Sequence, residues 1–577
     1  MLSEKRTDAR TQTRVHADAM APPRTFGGVD CAGAVDATFW AWATAEGVEA
    51  VSCAPALFQE GWRGVAATAD VAPGDVVLRV PGSLLMSARS AARDPDLAAA
   101  LETHGGALNA AERLSCHLLH EASKGARSRW CAYIHQLPRT YNLLASWTSV
   151  DIEALQAPEA IAIADRATAE MRASHARALP TLAHLSLPLP FRTKRAWTWA
   201  RCTVSSRTVF VPFDDAGALC PVGDLFNYAP PRGSTAVDVL GTPLSSAWLS
   251  ELGACGRTET SSSRDRDAAT EGVEKKEKNA AESADAGDGA YDAARDAYAF
   301  RARRRYHAGD QIMLCYGKHT NLSLLEHYGF LLPPSATNAN DAAPLAPIPG
   351  FAGATGGETR APPARRVSAD AFGRLTWTDL ADLRADAACA DADVRRLGLA
   401  KRARDVCRRG DSVSPAVERR VFEAVRDAAA QTLLSLETTA AQDEVVVAGL
   451  AGGEETNPGE STDAAAETAT MRRDAGLDEH GAPKEWTRAA AAADGDALSS
   501  RADVRATDAS NALLAARWRL AYKRAVQAAY RLAQARVDEA VEEARAVGRA
   551  DARAPDAVGR GEASKARVAK PLLRTAR

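Results

Sequence analysis

The stretch from Gln311 to Pro334 reads QIMLCYGKHTNLSLLEHYGFLLPP. Its first half alternates, with Ile312, Leu314 and Tyr316 on one side and Met313 and Cys315 on the other, which predicts a half-buried strand. Gly317 ends that run, and Thr320 is placed to cap a short helix carrying Leu322, Leu325 and Glu326. Gly329 falls where a left-handed C-terminal cap belongs, with Phe330 as its apolar partner. A strand thus carries Tyr316 to a loop mouth, and one short helix returns Tyr328 towards it. Two phenols brought together in this way suggest a site, although a Tyr-Gly pair at a strand end is by itself more often plain packing.

Upstream, residues 203–230 read TVSSRTVFVPFDDAGALCPVGDLFNYAP. A β-rich run from Val204 to Phe213 is predicted, followed by the turn Cys220-Pro221-Val222-Gly223 and the segment Asp224 to Tyr228. Asp224 and Asn227 stand three apart among apolar neighbours, and buried polar side chains destabilise unless they find partners. Either both cap local turns or both face a polar ligand. Further upstream an aromatic helix candidate (Phe39, Trp40, Trp42) precedes two short strands, 64–70 and 76–81, joined by the turn Ala72-Pro73-Gly74-Asp75. Just ahead of them, Glu60-Gly61-Trp62-Arg63-Gly64 has small residues that let backbone approach a ligand, though such glycine spacing is common in ordinary turns.

Between about 90 and 205 the pattern is helical: Leu114, Leu118 and Glu121 have helix spacing, as do Trp197, Ala200, Arg201 and Val204. The aromatic segment SRWCAYIHQLP (128–138) reads as core. His117 and His120 stand three apart without an acidic or cysteine partner at ligand spacing, so no metal is expected. Residues 253–290 are densely charged and nearly free of large apolar side chains, which predicts a disordered insertion. A Pro/Gly/Ala linker at 336–365 follows. Beyond it, Val417, Val421, Phe422 and Val425 form one amphipathic stripe and Leu513, Leu514, Trp518 and Tyr522 another, which predicts an all-α domain over 366–550. A disordered stretch at 451–510, a disordered leader at 1–35 and a basic tail at 551–577 complete the expected organisation.

The 577-residue chain has room for more than one core, and its net charge of −3 gives no footprint for a nucleic-acid partner. Ten scattered cysteines with no C-x-x-C argue against a zinc site or disulfide framework and fit a reducing compartment. No apolar run is long enough to span a bilayer, so the reading is a soluble intracellular protein, cytoplasmic or chloroplast.

Four blocks in register carry a resemblance: EGWRGVAATADVAPGDVVLRVP (60–81), WARCTVSSRTVF (199–210), CPVGDLFNYAPP (220–231) and AGDQIMLCYGKHTNLSLLEHYGFLLP (308–333). Together they resemble the SET-domain protein methyltransferases, in the subgroup typified by the plant Rubisco large-subunit lysine methyltransferase. The resemblance implies an α+β fold in which a SET-type β domain (36–335) with a pseudoknot and a helical insert precedes an all-α, substrate-binding-like domain. It implies S-adenosylmethionine as cofactor, held by Glu60, Gly61, Trp62, Arg207, Asn227, Tyr228 and Tyr328. Tyr316 becomes the catalytic residue, with Ser206, Arg207 and Asp224 on the substrate side and no metal. The implied partner is a protein substrate, a non-histone lysine, met by a monomer without nucleic acid or membrane. A histidine N-methyltransferase and a catalytically silent SET-like binding module are the alternatives. Two departures stand out: Arg63 occupies the place of the family's second glycine, and Tyr228 stands where the family has histidine.

Overall fold

The computed structural model describes residues 25–26, 29–31, 34–58, 63–230, 289–333, 337–351, 364–451 and 501–553. Among the described residues, two four-stranded antiparallel sheets and several two-stranded pairs form the β part. One sheet joins Thr25–Phe26, Val29–Asp30, Cys53–Leu57 and Arg63–Ala67 in that order. The other joins Ala290–Asp292, Ala297–Arg301, Val76–Pro81 and Glu49–Ala50. The two strands foreseen on either side of the Pro-Gly turn therefore do not form a hairpin: each pairs with a partner elsewhere in the chain, Cys53–Leu57 for one and Ala297–Arg301 for the other.

Thr25–Phe26 and Val29–Asp30 lie inside the expected leader and extend the edge of the first sheet. Strands of two residues carry no periodicity, so composition alone hid them. The second sheet also corrects one end of the expected insertion, because Ala290 already pairs with Ala299. The rest of the 253–290 insertion, residues 253–288, lies outside the described residues.

The insert between the β segments is helical. Its main elements are α1 (Ala110–Lys124), α2 (Pro158–His184) and α3 (Lys194–Arg207). Asn109 and Glu112 close a reciprocal capping box at the start of α1. Thr193 caps α3, which runs four residues into the segment expected as a strand; the strand begins only at Thr208. Packing explains the difference, because Trp197, Ala200, Thr203 and Val204 are all buried along one helical stripe. One core holds Phe39, Leu78, Tyr133, Trp197, Phe226, Phe300 and Tyr306 between insert and sheets.

After the short helix α4 (Asn321–His327) the chain becomes helical, with α5 (Trp377–Ala390), α6 (Pro415–Leu434), α7 (Ala440–Ala451) and α8 (Arg501–Arg553). Within the expected linker, Ala343–Pro344 pairs with Ser368–Ala369. The last helix starts inside the stretch expected to be disordered and enters the expected basic tail. A second core, with Phe422, Trp518 and Tyr522, also takes in Trp147, Leu155 and Leu325, so the helical domain is seated on the insert and on α4. Among the described residues no helix is long and apolar enough to cross a membrane.

Candidate active site

Three distant segments meet at one point. The strand Arg63–Ala67 bonds to the run ahead of Tyr316, with the Ile312 amide donating to the Val65 carbonyl at 2.8 Å. On the other side of that run, Asn227–Tyr228 pairs in parallel with Met313–Leu314. The Ala229 amide extends this pairing by donating to the Leu314 carbonyl. The Asn227 side-chain amide then donates to the Arg63 carbonyl at 3.0 Å, closing the junction.

The expected return of Tyr328 is realised locally. Thr320 Oγ1 accepts from the Ser323 amide, α4 runs about two turns, and Gly329 takes a φ of +76°. The Tyr316 and Tyr328 rings lie 5.2 Å apart, and Tyr228 stands 5.3 Å from Tyr316. Phe330 is 6.1 Å from both Tyr228 and Tyr328, so four rings line one apolar patch. Burial raises the pKa of the Tyr316 and Tyr328 phenols and pushes Tyr228 up to about 12. All three are neutral hydroxyls at physiological pH. The Tyr316 hydroxyl donates to the Phe226 carbonyl.

Arg207, the last residue of α3, donates from Nη1 to both the carbonyl and Oδ2 of Asp224, each at 3.1 Å. The Asp224 side chain is only 2% exposed. It is presented by the turn Gly223–Leu225, entered through Val222 at φ +68°. A β-branched residue with that φ is a strained outlier, held here by the surrounding structure. Ser206 points elsewhere: its hydroxyl bonds back to the Cys202 carbonyl of its own helix at 2.8 Å. The structure therefore gathers Tyr316, Tyr328, Tyr228, Asn227, Arg207 and Asp224. Glu60, Gly61 and Trp62 lie outside the described residues.

Three neighbours escaped the sequence reading. Tyr133, taken as core, is buried but sends its hydroxyl to Asp224 Oδ2 at 3.1 Å. Arg63, noticed only as a departure, reaches the Gln136 carbonyl at 3.3 Å, and burial lowers its pKa. His319 bridges the Tyr316 carbonyl and Ser323 Oγ, each at 3.2 Å. No local pattern marks these contacts.

The histidine reading also needs correcting. His120 does have acidic neighbours: Asp94, Glu121 and His120 offer ligand atoms within 4.8 Å of one another. The Lys124 ammonium bonds both carboxylates, which makes the group an ion-pair network.

None of the family models compared matches the chain. "Protein SET DOMAIN GROUP 40" of Arabidopsis thaliana is 38% identical over 283 residues, which is 49% of this chain and 52% of that protein. "SET domain-containing protein 4" of Mus musculus is 26% identical over 202 residues, 33% of this chain and 46% of that one. The chain thus spans about half the length of the curated relatives it matches. Among solved structures, the SET domain of LSMT bound to lysine and AdoHcy superposes with a TM-score of 0.51 at 17% identity, covering 87% of this chain and 92% of that one. Rubisco LSMT bound to sinefungin and monomethyllysine gives 0.51 at 16%, covering 88% and 93%. The resemblance drawn from the four sequence blocks is borne out in the fold.

Proposed function

Starting from a SET-domain methyltransferase fold of the LSMT-like kind, we propose that this chain transfers a methyl group from S-adenosylmethionine to a lysine side chain of a folded non-histone protein. The observation that carries this reading is the meeting of Gly64–Val65, Phe226–Tyr228 and Tyr316 at one junction, with Arg207 beside it. The lysine and AdoHcy of the similar LSMT structure support the same choice of acceptor and donor.

The residues fit such a donor. Arg207 Nε–H is buried and has no hydrogen-bond partner, a donor awaiting an acceptor. Gly64 allows close packing at the junction: a Cβ there would overlap Gln311 Nε2 and stand 3.0 Å from Asn227 Nδ2. In this reading Arg207 holds the donor's carboxylate, Asn227 and Tyr228 its amino and adenine parts, and Tyr328 closes the pocket. By the resemblance alone, Glu60, Gly61 and Trp62 are further contacts of the donor. Asp224 acts through Arg207, and Ser206, turned back onto its own helix, stands outside this arrangement. When bound, the donor supplies an electrophilic methyl on a sulfonium.

The chain's own task is alignment and exclusion of water, which together supply much of the acceleration. The acceptor amine has to arrive neutral, whereas free lysine has a pKa of about 10.4. The rings of Tyr228, Tyr316, Tyr328 and Phe330 disfavour its charged form by desolvation. Tyr316 is too weak an acid to serve as a phenolate base. Because its O–H is committed to the Phe226 carbonyl, its lone pairs face outward to accept an amine N–H and aim the amine lone pair.

The test is incubation of the full chain with isotopically labelled S-adenosylmethionine and a cell lysate, followed by mass spectrometry of the labelled residue. Label on lysine is expected. Label on histidine would replace the lysine assignment, and absence of both transfer and S-adenosylhomocysteine binding would leave a silent binding module.

A further inference from the structure

Tyr133 sits on the short helix Cys131–Gln136 of the insert, its ring 6.4 Å from Phe39 and fully enclosed. Packing alone would be served by phenylalanine, so the hydroxyl is what needs explaining. It donates to Asp224 Oδ2 at 3.1 Å, the same oxygen that receives Arg207 Nη1 at 3.1 Å. One carboxylate oxygen is therefore tied from two sides, and the contact with the guanidinium is confined to Nη1. Thr203 fixes the Tyr141 phenol at 3.0 Å beside the same guanidinium. Arg207 Nε–H is left buried and unpartnered. Arginine offers a carboxylate two parallel forks, Nη1–Nη2 and Nε–Nη2, and a carboxylate that took the second would consume the Nε edge.

Charge points the same way. Arg63, anchored on Gln136 at the end of Tyr133's helix, adds a second guanidinium near Asp224. Two cations and one carboxylate leave an excess positive charge in a poorly solvated place, a situation relieved by an incoming anion.

We propose that Tyr133 is a positioning residue: its hydroxyl holds Asp224 off the Nε edge of Arg207 and reserves that edge for the carboxylate of the methyl donor. This rests on the donor-binding role proposed for Arg207.

The experiment is calorimetry on the full chain with S-adenosylhomocysteine and with its decarboxylated analogue, which keeps the amine and loses only the carboxylate. Wild type should prefer the first by about 30-fold, and Tyr133→Phe should shrink that preference to about threefold through the carboxylate-bearing ligand alone. The same variant should raise KM for the donor while kcat stays within about twofold. Equal weakening of both ligands would make Tyr133 a packing residue and overturn the proposal. Asp224→Asn gives an independent reading if Tyr133→Phe does not fold: an amide has no charge with which to compete for Arg207, so the preference should stay at or above wild type. Its collapse in Asp224→Asn would equally sink the idea. A wild type that binds both ligands alike defeats the Arg207 assignment and this proposal with it, whereas one that binds neither defeats the donor reading itself.

Discussion

The Tyr228 hydroxyl donates to the Gly317 carbonyl across 3.0 Å, joining residues 89 positions apart. Tyr228 belongs to the two-residue strand paired with Met313–Leu314, and Gly317 lies in the loop that leaves that pair, so the bond ties the loop back to the junction. With its pKa pushed up to about 12 by burial, the phenol keeps its proton at any physiological pH. Tyr228→Phe should cost about 1–2 kcal/mol, because the Gly317 carbonyl loses its donor while the ring still fills its place. Urea unfolding should show a lower midpoint at unchanged slope, together with weaker S-adenosylhomocysteine binding. Unchanged values in both measurements would mean the bond clamps nothing.

Tyr316→Phe tests the catalytic assignment. The variant retains ring packing against Tyr228 and Tyr328 but loses the oxygen proposed to orient the amine. Turnover should fall by about 100-fold or more, with S-adenosylhomocysteine affinity within about threefold of wild type. The sign of the pH dependence follows from the raised phenol pKa: Tyr316 stays protonated up to strongly alkaline pH, so activity should rise with pH as the acceptor amine is deprotonated. Equal losses in turnover and ligand affinity would remove Tyr316 from its role.

What was legible in the sequence was local. The Thr320 cap and Gly329 lie within one short run and foretold how Tyr328 comes back to Tyr316, whereas the strand expected from the alternation of Ile312 to Tyr316 forms only at Met313–Leu314. Contacts that cross the chain were not legible from local pattern. The parallel pairing of Asn227 with Met313 involves two-residue strands too short for any period. Tyr133 looked like core because it is core; only its last atom, bonded to a carboxylate 91 positions away, does something more. Val204, Ser205 and Ser206 favour strand or turn by propensity, yet α3 carries them as helix because burial of Trp197, Ala200 and Thr203 outweighs a few tenths of a kcal/mol. The acidic partner of His120 was missed for the same reason, since Asp94 arrives from 26 positions upstream.

In the helical domain, Asp443 is fully buried between Arg519 and Lys523, its Oδ1 2.7 Å from Arg519 Nη2 and its Oδ2 2.6 Å from Lys523 Nζ. Arg519 also reaches the Ala154 carbonyl and Lys523 the Gln156 side chain, so the cluster fastens α7 and α8 to the insert. Asp443→Asn strands two buried cations and should cost about 3–5 kcal/mol. Burial works against the Asp443 charge, but Arg519 and Lys523 outweigh it and hold the folded pKa below 3.8. A depressed carboxylate pKa contributes stability that is complete above the unfolded value and is lost as pH falls through the folded one. Thermal unfolding followed by circular dichroism should therefore show wild-type stability dropping below about pH 4, and a shallower drop in Asp443→Asn. Parallel pH profiles for the two proteins would exclude Asp443 as the source.

Gly64→Ala separates the junction from the fold. The new methyl would overlap the end of the Gln311 side chain, which can swing away. Asn227 is less free, because its amide is anchored on the Arg63 carbonyl at 3.0 Å and the methyl would stand 3.0 Å from that nitrogen. The strand Arg63–Ala67 keeps its backbone pairing with Cys53–Leu57, so the global melting temperature should change by only about 2–4 °C. The donor contact proposed for Asn227 is disturbed, and S-adenosylhomocysteine affinity should fall by about tenfold or more. A second substitution, Asn227→Ala, separates the two causes: if crowding of the amide is the damage, Gly64→Ala adds little to the loss already caused by Asn227→Ala, whereas a methyl that meets the donor directly makes the two losses add. Full donor affinity in Gly64→Ala would place the ligand away from this strand and take Arg207's proposed partner with it.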